Sequence, residues 1–246
     1  MQVTLLGHGR LGSALVEGWR LTGAGSPAIL TRSDPPVCPV GTRALVIAVK
    51  PANWRDAVAP LAASLPADAT VVSVMAGVRA GAIAEALGGR RVARVMPTTT
   101  VARAMGVAAI WSADTDARAC AHDLFDPVAD TVDLTDEAQM DPATAVAGSA
   151  PAFFHLFAQA LARAGVEAGL DPEAAERLAR GALRSAGSGA ATAASLEELI
   201  ARIASPGGTT RAGLDALDAA GLSAAAAAAV AAAVARARSL AGDEAT

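Results

Sequence analysis

The sequence has few aromatic residues and little net charge. Across 246 residues it contains four phenylalanines, three tryptophans and no tyrosine, and its formal net charge is −4. Proteins that bind nucleic acid usually present a basic surface to the phosphates, and those that bind single strands also stack bases on aromatic rings. Because both features are missing, we expect no nucleic-acid partner.

Cysteine and histidine are also scarce. Cys38 and Cys120 lie far apart, and neither belongs to a C-x-x-C pair or has a histidine at metal-ligand spacing. This pattern predicts reduced thiols in a cytoplasmic protein and no metal site. The histidines at positions 8, 122 and 155 are scattered, so we interpret them as structural or solvent-facing rather than catalytic.

No stretch of the sequence predicts secretion or membrane insertion. Met1 leads directly into an apolar strand pattern without a basic region, so no signal peptide is expected. The uncharged run from Leu222 to Ala235 is mostly alanine, and it is too short and too weakly apolar to cross a bilayer. Hydrophobic residues make up 53% of the chain, which predicts a soluble globular protein with a sizeable core and no membrane partner.

A glycine-rich motif follows the first predicted strand. Val3 to Leu6 is apolar, Gly7-His8-Gly9-Arg10-Leu11-Gly12 comes directly after it, and Ser13 to Thr22 has a helical pattern. Dinucleotide binding requires G-x-G-x-x-G in this setting. The first glycine makes the turn, the second lets a pyrophosphate approach, and the third packs the helix on the strand. A plain strand-to-helix turn is the alternative.

The next two predicted strands add to this site. The strand Ala28 to Leu30 should end beside the adenosine ribose, where a carboxylate would select NAD(H). Thr31-Arg32-Ser33 stands there instead, and a guanidinium with flanking hydroxyls suits the 2′-phosphate of NADP(H). The buried strand Ala44 to Val49 ends at Lys50-Pro51, at the expected ligand crevice. For both Arg32 and Lys50, a solvated loop position is the alternative.

Strands, small-residue loops and helices alternate up to about residue 141. The proline-rich segment 34–41 is too short for a crossover helix, and strand patterns recur at 71–75, 92–96, 107–111 and 131–134. Residues 1–141 are therefore predicted to form an α/β domain, a Rossmann-type doubly wound parallel sheet that binds a dinucleotide. Residues 142–246 lack strand patterns and are predicted to form an all-α domain for substrate binding and dimerisation.

The helical half has recognisable start signals. Asp171-Pro172 predicts a capped helix start, and Ser195 with Glu198 predicts a capping box. Pro142 to Gly169 is expected to form one long helix with a kink near 148–151. The last helix is expected from Ser223 to about Leu240.

Ser205-Pro206-Gly207-Gly208-Thr209-Thr210 connects two of these helices. The proline fixes φ, the glycines let the backbone approach a ligand, and the threonines add hydroxyls at a helix start. Backbone N–H groups at a helix N-terminus suit a carboxylate or phosphate, and a hydroxyl can hydrogen-bond a neighbouring nitrogen. A tight helix-to-helix connection without a ligand is the alternative.

In this order, the motifs resemble those of the pyrroline-5-carboxylate reductases. Further matching blocks are Ser73 to Gly77, Arg94 to Pro97 and Ala147 to Ala152, and the Ser205 loop is the most specific. The resemblance implies an NADPH-preferring oxidoreductase acting on C–N bonds, with NAD(H) as a second cofactor. The implied reaction is direct hydride transfer to the cyclic imine 1-pyrroline-5-carboxylate, giving L-proline. The resemblance also implies a homodimer, which forms rings of dimers in some members.

The resemblance assigns roles to individual residues. Thr210 would hydrogen-bond the ring nitrogen as the catalytic residue, and the loop residues Ser205, Gly207, Gly208 and Thr209 would hold the substrate carboxylate. Met96-Pro97 would lie near the nicotinamide. The cofactor-binding residues would be Gly7, His8, Gly9, Arg10, Leu11, Gly12, Thr31, Arg32, Ser33, Ala48, Val49, Lys50, Pro51, Ala76, Gly77, Met96 and Pro97. Such a site works mainly by positioning, because a protonated imine accepts a hydride without a strong acid.

The chain departs from the family pattern beside the cofactor. Thr98 stands where the family usually has asparagine, and Arg10-Leu11 stands where Asn-Met is usual. Two alternatives therefore stay open. One is a reductase of a different cyclic imino acid in a specialised pathway, and the other is a non-enzymatic NADP-binding protein on the same scaffold.

Overall fold

The structure, a computed structural model, describes residues 1–192 and 194–242. Ala193 and residues 243–246 of the predicted helical domain lie outside the described residues. The chain divides into two compact units. The first is Met1–Gly148 together with the chain from Ala232 onward, and the second is Ser149–Ala231. The proposed domain boundary after residue 141 stays a prediction.

A seven-stranded sheet organises the first unit, with strand order β2-β1-β3-β4-β5-β6-β7. The strands are β1 Val3–Leu6, β2 Ala28–Leu30, β3 Ala44–Ile47, β4 Thr70–Ser73, β5 Val92–Pro97, β6 Gly106–Trp111 and β7 Ala129–Asp133. Neighbouring strands run parallel except β5 and β6, which are antiparallel. The connection between these two holds only a 3₁₀ turn, Thr99–Arg103, and is too short for a parallel crossover.

The chain changes direction across the sheet beside β1. It runs from β1 outward to β2 and then returns to β3 on the other side of β1. Leu6 lies opposite both Leu30 and Ile47, so the loops after β1, β2 and β3 begin at one level. Ligands of open α/β sheets bind at the carboxyl ends of the strands at such a reversal point.

Helices cover both faces of this sheet. They are α1 Arg10–Thr22, α2 Trp54–Val58, α3 Ala80–Ala86 and α4 Thr115–Phe125. One hydrophobic cluster contains Leu15 of α1 and Phe125 of α4, and another contains Trp54 of α2 and Ile83 of α3. Helices on both faces of a mostly parallel sheet confirm the predicted doubly wound α/β fold.

The remaining helices follow β7. They are α5 Met140–Ala143, a π-helical segment Thr144–Ser149, α6 Ala150–Glu167, α7 Pro172–Ala190, α8 Leu196–Ile203, α9 Thr209–Ala219 and α10 Leu222–Gly242. The π-helical segment overlaps the expected kink region, 148–151, only at residues 148 and 149. Asp171 accepts the N–H groups of Glu173 and Ala174, and Ser195 forms a reciprocal capping box with Glu198. These caps confirm both predicted helix starts.

The second unit leaves many large apolar side chains exposed. Phe154 of α6 is 62% exposed, and Ile203 of α8 is 70% exposed. By length and composition, the helical stretch 137–167 could cross a membrane. Helices α9 and α10 are long and apolar enough to do so only if the bent pair is counted as one span. One or two such helices are weak evidence for a membrane protein. The sequence analysis did not identify the stretch 137–167 as a membrane candidate.

Candidate functional site

The loop after β1 is closed by its first glycine. Gly7 has a φ of 97°, and its N–H donates to the carbonyl of Leu30 at 2.8 Å. A Cβ atom at Gly7 would lie 2.8 Å from the carbonyl oxygen of Ala48, so no larger residue fits. The turn therefore packs against the ends of both β2 and β3.

The other two glycines of the motif differ in their surroundings. A Cβ atom at Gly12 would lie 2.4 Å from the carbonyl oxygen of Gly7, whereas one at Gly9 would meet no atom within 4 Å. Gly9 directly precedes α1, whose first N–H groups have no partner within the helix. Open space at Gly9 and a positive helix end suit a bound pyrophosphate, so the residues present fit a dinucleotide.

In the loop after β2, the carboxylate of Asp34 is hydrogen-bonded to Thr31. The N–H and the hydroxyl of Thr31 donate to Oδ2 of Asp34 at 2.8 and 2.7 Å. The side-chain hydrogen bond from Thr31 and the backbone one lower the pKa of the Asp34 carboxyl. Arg32 lies between these residues in sequence and is exposed. Its guanidinium is therefore accessible to an anion at the end of β2.

The loop after β3 lies directly beside the glycine loop. The Ala48 N–H donates to the carbonyl of Leu6 at 2.8 Å. A Cβ atom at Gly7 would also lie 3.1 Å from Cγ1 of Val49. Lys50 is exposed and precedes a 3₁₀ turn that begins at Pro51. The structure thus brings the predicted loops after β1 and β3 together. The exposed Lys50 is the positively charged residue of the loop after β3.

The loop after β4 and the end of β5 meet in a small apolar cluster. Met96, Ala109 and Met140 are buried together, and Ala76 packs against them. A Cβ atom at Gly148, in the π-helical segment, would lie 3.7 Å from Sδ of Met96. Ala76, predicted to bind the cofactor, and Met96, predicted to lie near the nicotinamide, are therefore neighbours, while Met96 itself is only 6% exposed.

Thr98, which stands where the family usually has asparagine, forms hydrogen bonds within the protein. Its hydroxyl accepts the Val107 N–H at 3.1 Å and lies 2.7 Å from the hydroxyl of Thr100. Thr98 is 7% exposed. Its side chain therefore supports the turn between β5 and β6.

A buried ion pair near these loops was missed by the sequence analysis. Arg94 is 1% exposed, and its Nη1 donates to Oε1 of Glu137 at 3.1 Å. Burial lowers the pKa of the Arg94 guanidinium, and the charge of Glu137 opposes that shift. The available signal was an arginine inside an otherwise apolar strand, because buried arginines are almost always paired.

The loop before α9 is a tight turn that ends as a helix cap. The Gly208 N–H donates to the carbonyl of Ser205 at 3.1 Å, and Gly207 has a φ of 71°. Proline and then a positive-φ glycine in the centre are typical of a type II turn. Gly208 is the N-cap of α9, so Thr209 and Thr210 start the helix with N–H groups that have no intrahelical partner.

The arrangement can therefore bind anions at two helix starts, one in each unit. The described residues contain no group of three or more histidine, cysteine, aspartate or glutamate side chains placed to hold a metal. Neither helix start presents a strong acid or a nucleophile. The chemistry that fits is therefore positioning of a dinucleotide and of a small anionic substrate.

Comparisons with known proteins agree with this description. Residues 137–240 match a family model described as pyrroline-5-carboxylate reductase dimerisation. A pyrroline-5-carboxylate reductase of Pseudomonas aeruginosa is 32% identical over 91% of this chain and 90% of its own length. The solved structure of a pyrroline-5-carboxylate reductase from Coxiella burnetii is 26% identical, with a TM-score of 0.86 over 97% of this chain and 98% of that one.

A third relative shares the fold and was solved with a ligand. The Plasmodium falciparum pyrroline carboxylate reductase structure, which has NADP bound, is 23% identical. It has a TM-score of 0.78 over 98% of each chain. From the relationship to the Pseudomonas aeruginosa enzyme over most of both sequences, the chain belongs to the pyrroline-5-carboxylate reductase family.

Proposed function

We propose that this protein reduces 1-pyrroline-5-carboxylate to L-proline with NAD(P)H. The observation that carries the proposal is family membership over nearly the full chain length. The glycine loop at 7–12 and the turn at 205–210 supply the two anion sites that such a reaction needs. The protein is accordingly an oxidoreductase acting on a C–N bond.

The first unit binds the cofactor, which supplies a hydride from its nicotinamide ring when bound. The loop Gly7–Gly12 holds the pyrophosphate at the start of α1, with the open side of Gly9 facing it. Lys50-Pro51 lies beside that loop and adds a positive charge. Ala76-Gly77 and Met96-Pro97 form the wall on the nicotinamide side.

The choice of NADPH over NADH is assigned to Thr31-Arg32-Ser33. The guanidinium of Arg32 is exposed at the end of β2, where the adenosine ribose binds in this type of fold. The carboxylate of the nearby Asp34 accepts two hydrogen bonds from Thr31. It is therefore not available to a ribose hydroxyl. A 2′-phosphate is therefore the better partner for this loop.

The second unit binds the imino acid. The N–H groups of Thr209 and Thr210 receive its carboxylate, assisted by Ser205, Gly207 and Gly208 around the turn. The hydroxyl of Thr210 accepts a hydrogen bond from the protonated ring nitrogen and orients the ring. The imine carbon then accepts the hydride, and the π electrons of the C=N bond move onto nitrogen, which keeps its proton.

The exposed apolar helices of the second unit are assigned to a homodimer interface. The family model that matches residues 137–240 describes a dimerisation region. Helices α6 and α8 of this region expose large apolar side chains. A subunit interface accounts for the apolar stretch 137–167 without a membrane. Assembly into a ring of dimers is a further part of the proposal, which sedimentation of the purified protein would test.

A cytoplasmic location is also proposed. Both Cys38 and Cys120 are free and buried. Burial raises the pKa of the Cys120 thiol to about 11, so this cysteine stays protonated and unreactive at neutral pH. Free buried thiols are usual in a reducing compartment.

The deciding experiment is NADPH oxidation by the purified protein. The assay compares 1-pyrroline-5-carboxylate with the six-membered cyclic imino acid and with a control that lacks an imine. Preferential turnover of the five-membered substrate is expected. Turnover of the six-membered ring alone would instead indicate a different imine substrate, and NADPH binding without any turnover would contradict an enzymatic role.

A further inference from the structure

A group of charged side chains lies inside the first unit, beside the nicotinamide-side loops. The guanidinium of Arg94 donates to Oε1 of Glu137 at 3.1 Å, and the same oxygen accepts the Ala80 N–H at 2.7 Å. Arg79 approaches the other oxygen of Glu137 at 4.0 Å. One carboxylate therefore connects β5, the start of α3 and the segment that precedes α5.

The two residues that donate hydrogen bonds to Glu137 are close in sequence to the segments assigned to the nicotinamide side. Arg94 precedes Met96 by two residues on β5, and Ala80 follows Gly77 by three residues. Met96 also packs against Met140, three residues beyond Glu137. A change in the Arg94–Glu137 separation would therefore move the Ala76-Gly77 loop relative to the end of β5.

The pair is a costly way to stabilise a fold. Taking a guanidinium out of water costs several kcal/mol, and a well-packed apolar pair of similar volume is often as stable. Among the described residues, Nε and Nη2 of Arg94 have no hydrogen-bond partner. The hydrogen bond of Nη1 to Glu137 thus fixes one geometry rather than maximises stability, while the charges of Glu137 and Asp141 favour the charged guanidinium and that of Arg79 opposes it.

The carboxylate of Glu137 also replaces a missing local cap. Arg79 is the N-cap of α3 and has no side-chain hydrogen bond to the helix start. Glu137, more than fifty residues away in sequence, supplies the acceptor for the first N–H of the helix. The position of α3, and of the Ala76-Gly77 loop before it, is therefore set by a residue outside both elements.

We propose that Arg94 and Glu137 are positioning residues for hydride transfer, because their contact sets the spacing between the Ala76-Gly77 loop and Met96-Pro97 at the end of β5, the two segments assigned to the nicotinamide side. This inference rests on the proposed function. The pair touches neither substrate nor cofactor. It acts through these two segments, and a small displacement of a reacting group is enough to slow a reaction strongly.

The test uses two conservative variants of the full-length protein. Glu137→Gln keeps an oxygen for the Ala80 N–H but removes the charge opposite Arg94, and Arg94→Lys keeps a charge but changes its geometry. For each, kcat should fall by about tenfold or more, because a misplacement of about 1 Å can cost about a hundredfold. The Kd for NADPH should change by less than about threefold, since the loops that hold the phosphates are untouched.

A matched control removes an ion pair elsewhere in the first unit. Arg43 lies 3.3 Å from Asp68, and both side chains are well exposed. Arg43 directly precedes β3, at the edge of the sheet opposite the ligand crevice. Arg43→Met should therefore leave kcat, the Kd for NADPH and the thermal unfolding midpoint nearly unchanged.

A readout that needs no turnover separates this inference from the proposed function. The fluorescence emission and lifetime of bound NADPH report the surroundings of the nicotinamide, and they should differ between the wild type and both variants. Lower kcat with altered emission and an unchanged Kd supports the positioning role. Unchanged kcat or emission, or equal losses of kcat and NADPH affinity, would overturn it. If the wild type reduces no imine, the proposed function fails, and the emission of bound NADPH alone decides the positioning role.

Discussion

The two units of this chain bury their apolar side chains in different ways. In the first unit, Leu5, Leu15 and Ile83 are completely buried between the sheet and its helices. In the described part of the second unit, the buried apolar residues are alanines, Ala175, Ala179 and Ala204. Some larger apolar residues of its helices, such as Phe153 and Leu199, are half-buried. Ten others are exposed: Phe154, Leu156, Phe157, Leu161, Val166, Leu178, Leu196, Ile200, Ile203 and Leu222.

This difference shows where each unit obtains its stability. The first unit closes a hydrophobic core within one chain, whereas the second exposes apolar surface that a second copy would cover. Substitutions in the first unit should therefore change stability at any protein concentration. Substitutions on the exposed helices should act through association, so their effect should depend on concentration.

The largest expected effect is in the core of the first unit. Leu15→Ala removes a fully buried side chain from α1 and should lower the free energy of unfolding by about 3 kcal/mol. Urea unfolding followed by tryptophan fluorescence measures this loss, because all three tryptophans, at positions 19, 54 and 111, belong to the first unit. The loss should be the same at low and high protein concentration.

The matched control for this variant lies on an exposed helix. Leu156→Ala removes the same atoms from a side chain of α6 that is 65% exposed. In dilute protein, its effect on the unfolding of the first unit should be within about 0.5 kcal/mol. A loss as large as that of Leu15→Ala would mean that the two units do not differ as described.

The second largest effect is expected on self-association. Phe154→Asp places a charge on the exposed apolar side of α6, and it should weaken the dimer by about 2 kcal/mol or more. Sedimentation equilibrium measures the dissociation constant. Val40→Asp is the control, because Val40 is 97% exposed on the first unit. Equal weakening by both variants would remove α6 from the interface.

The sequence predicted the fold because its signals are local, and the anion-binding role of the two loops, which stays a prediction, rests on local signals as well. The glycines at 7, 9 and 12 and the caps at Asp171 and Ser195 each act within a few residues of their own position. Helix α4 was missed, although Asp114 accepts the Ala117 N–H at 2.8 Å and is a local cap signal.

The features that could not be predicted depend on distant or competing contacts. Arg94 and Glu137 are 43 residues apart in sequence, and no local pattern indicates that they pair. Burial of Thr98 follows from its bond to Val107 on the neighbouring strand, which requires the antiparallel pairing of β5 and β6. The Gly208 N–H was expected to face the substrate, and the site assignment stays a prediction, but in this structure that N–H donates to Ser205.

A smaller effect should separate the catalytic roles of the two units. Thr210→Ala removes one hydroxyl from the start of α9, and it should lower kcat by about tenfold because the proposed hydrogen bond to the ring nitrogen would be lost. NADPH affinity should stay unchanged, since the proposed cofactor loops belong to the first unit. Steady-state kinetics and NADPH titration test both points. Thr210→Ser keeps the hydroxyl and should retain most activity, and a parallel loss of kcat and NADPH affinity in Thr210→Ala would show that this residue is misassigned.

On the first unit, Arg32→Ala should change cofactor choice without abolishing activity. Removal of the exposed guanidinium should weaken NADPH by about fivefold relative to NADH, because an exposed ion pair contributes about 1 kcal/mol. The measurement is the ratio of the two dissociation constants. Arg20→Ala, on the last turn of α1, serves as a charge-matched control. A ratio equal in Arg32→Ala and the wild type would place the 2′-phosphate elsewhere.

The smallest effect concerns the pH dependence of the first unit. His122 Nδ1 lies 2.9 Å from Asp126, and Nε2 lies 3.2 Å from Asp133, which Arg118 approaches at 3.9 Å. The hydrogen bond to Asp126 raises the pKa of His122 above its usual 6.5, and Asp133 adds to the shift. The resulting stabilisation is complete below the unfolded-state pKa and is lost as pH rises through the folded-state pKa.

The magnitude should be below about 1 kcal/mol because all of these groups are partly exposed. Urea unfolding of the wild type and of His122→Asn, from about pH 5 to about pH 8, isolates the contribution of this histidine. The stability difference should be largest at the acid end and should shrink toward the alkaline end. It should not vary with protein concentration, because His122 lies in the self-contained first unit. A difference that is constant with pH would contradict the ion-pair interpretation, and one that grows with protein concentration would connect this surface to the association of the second unit.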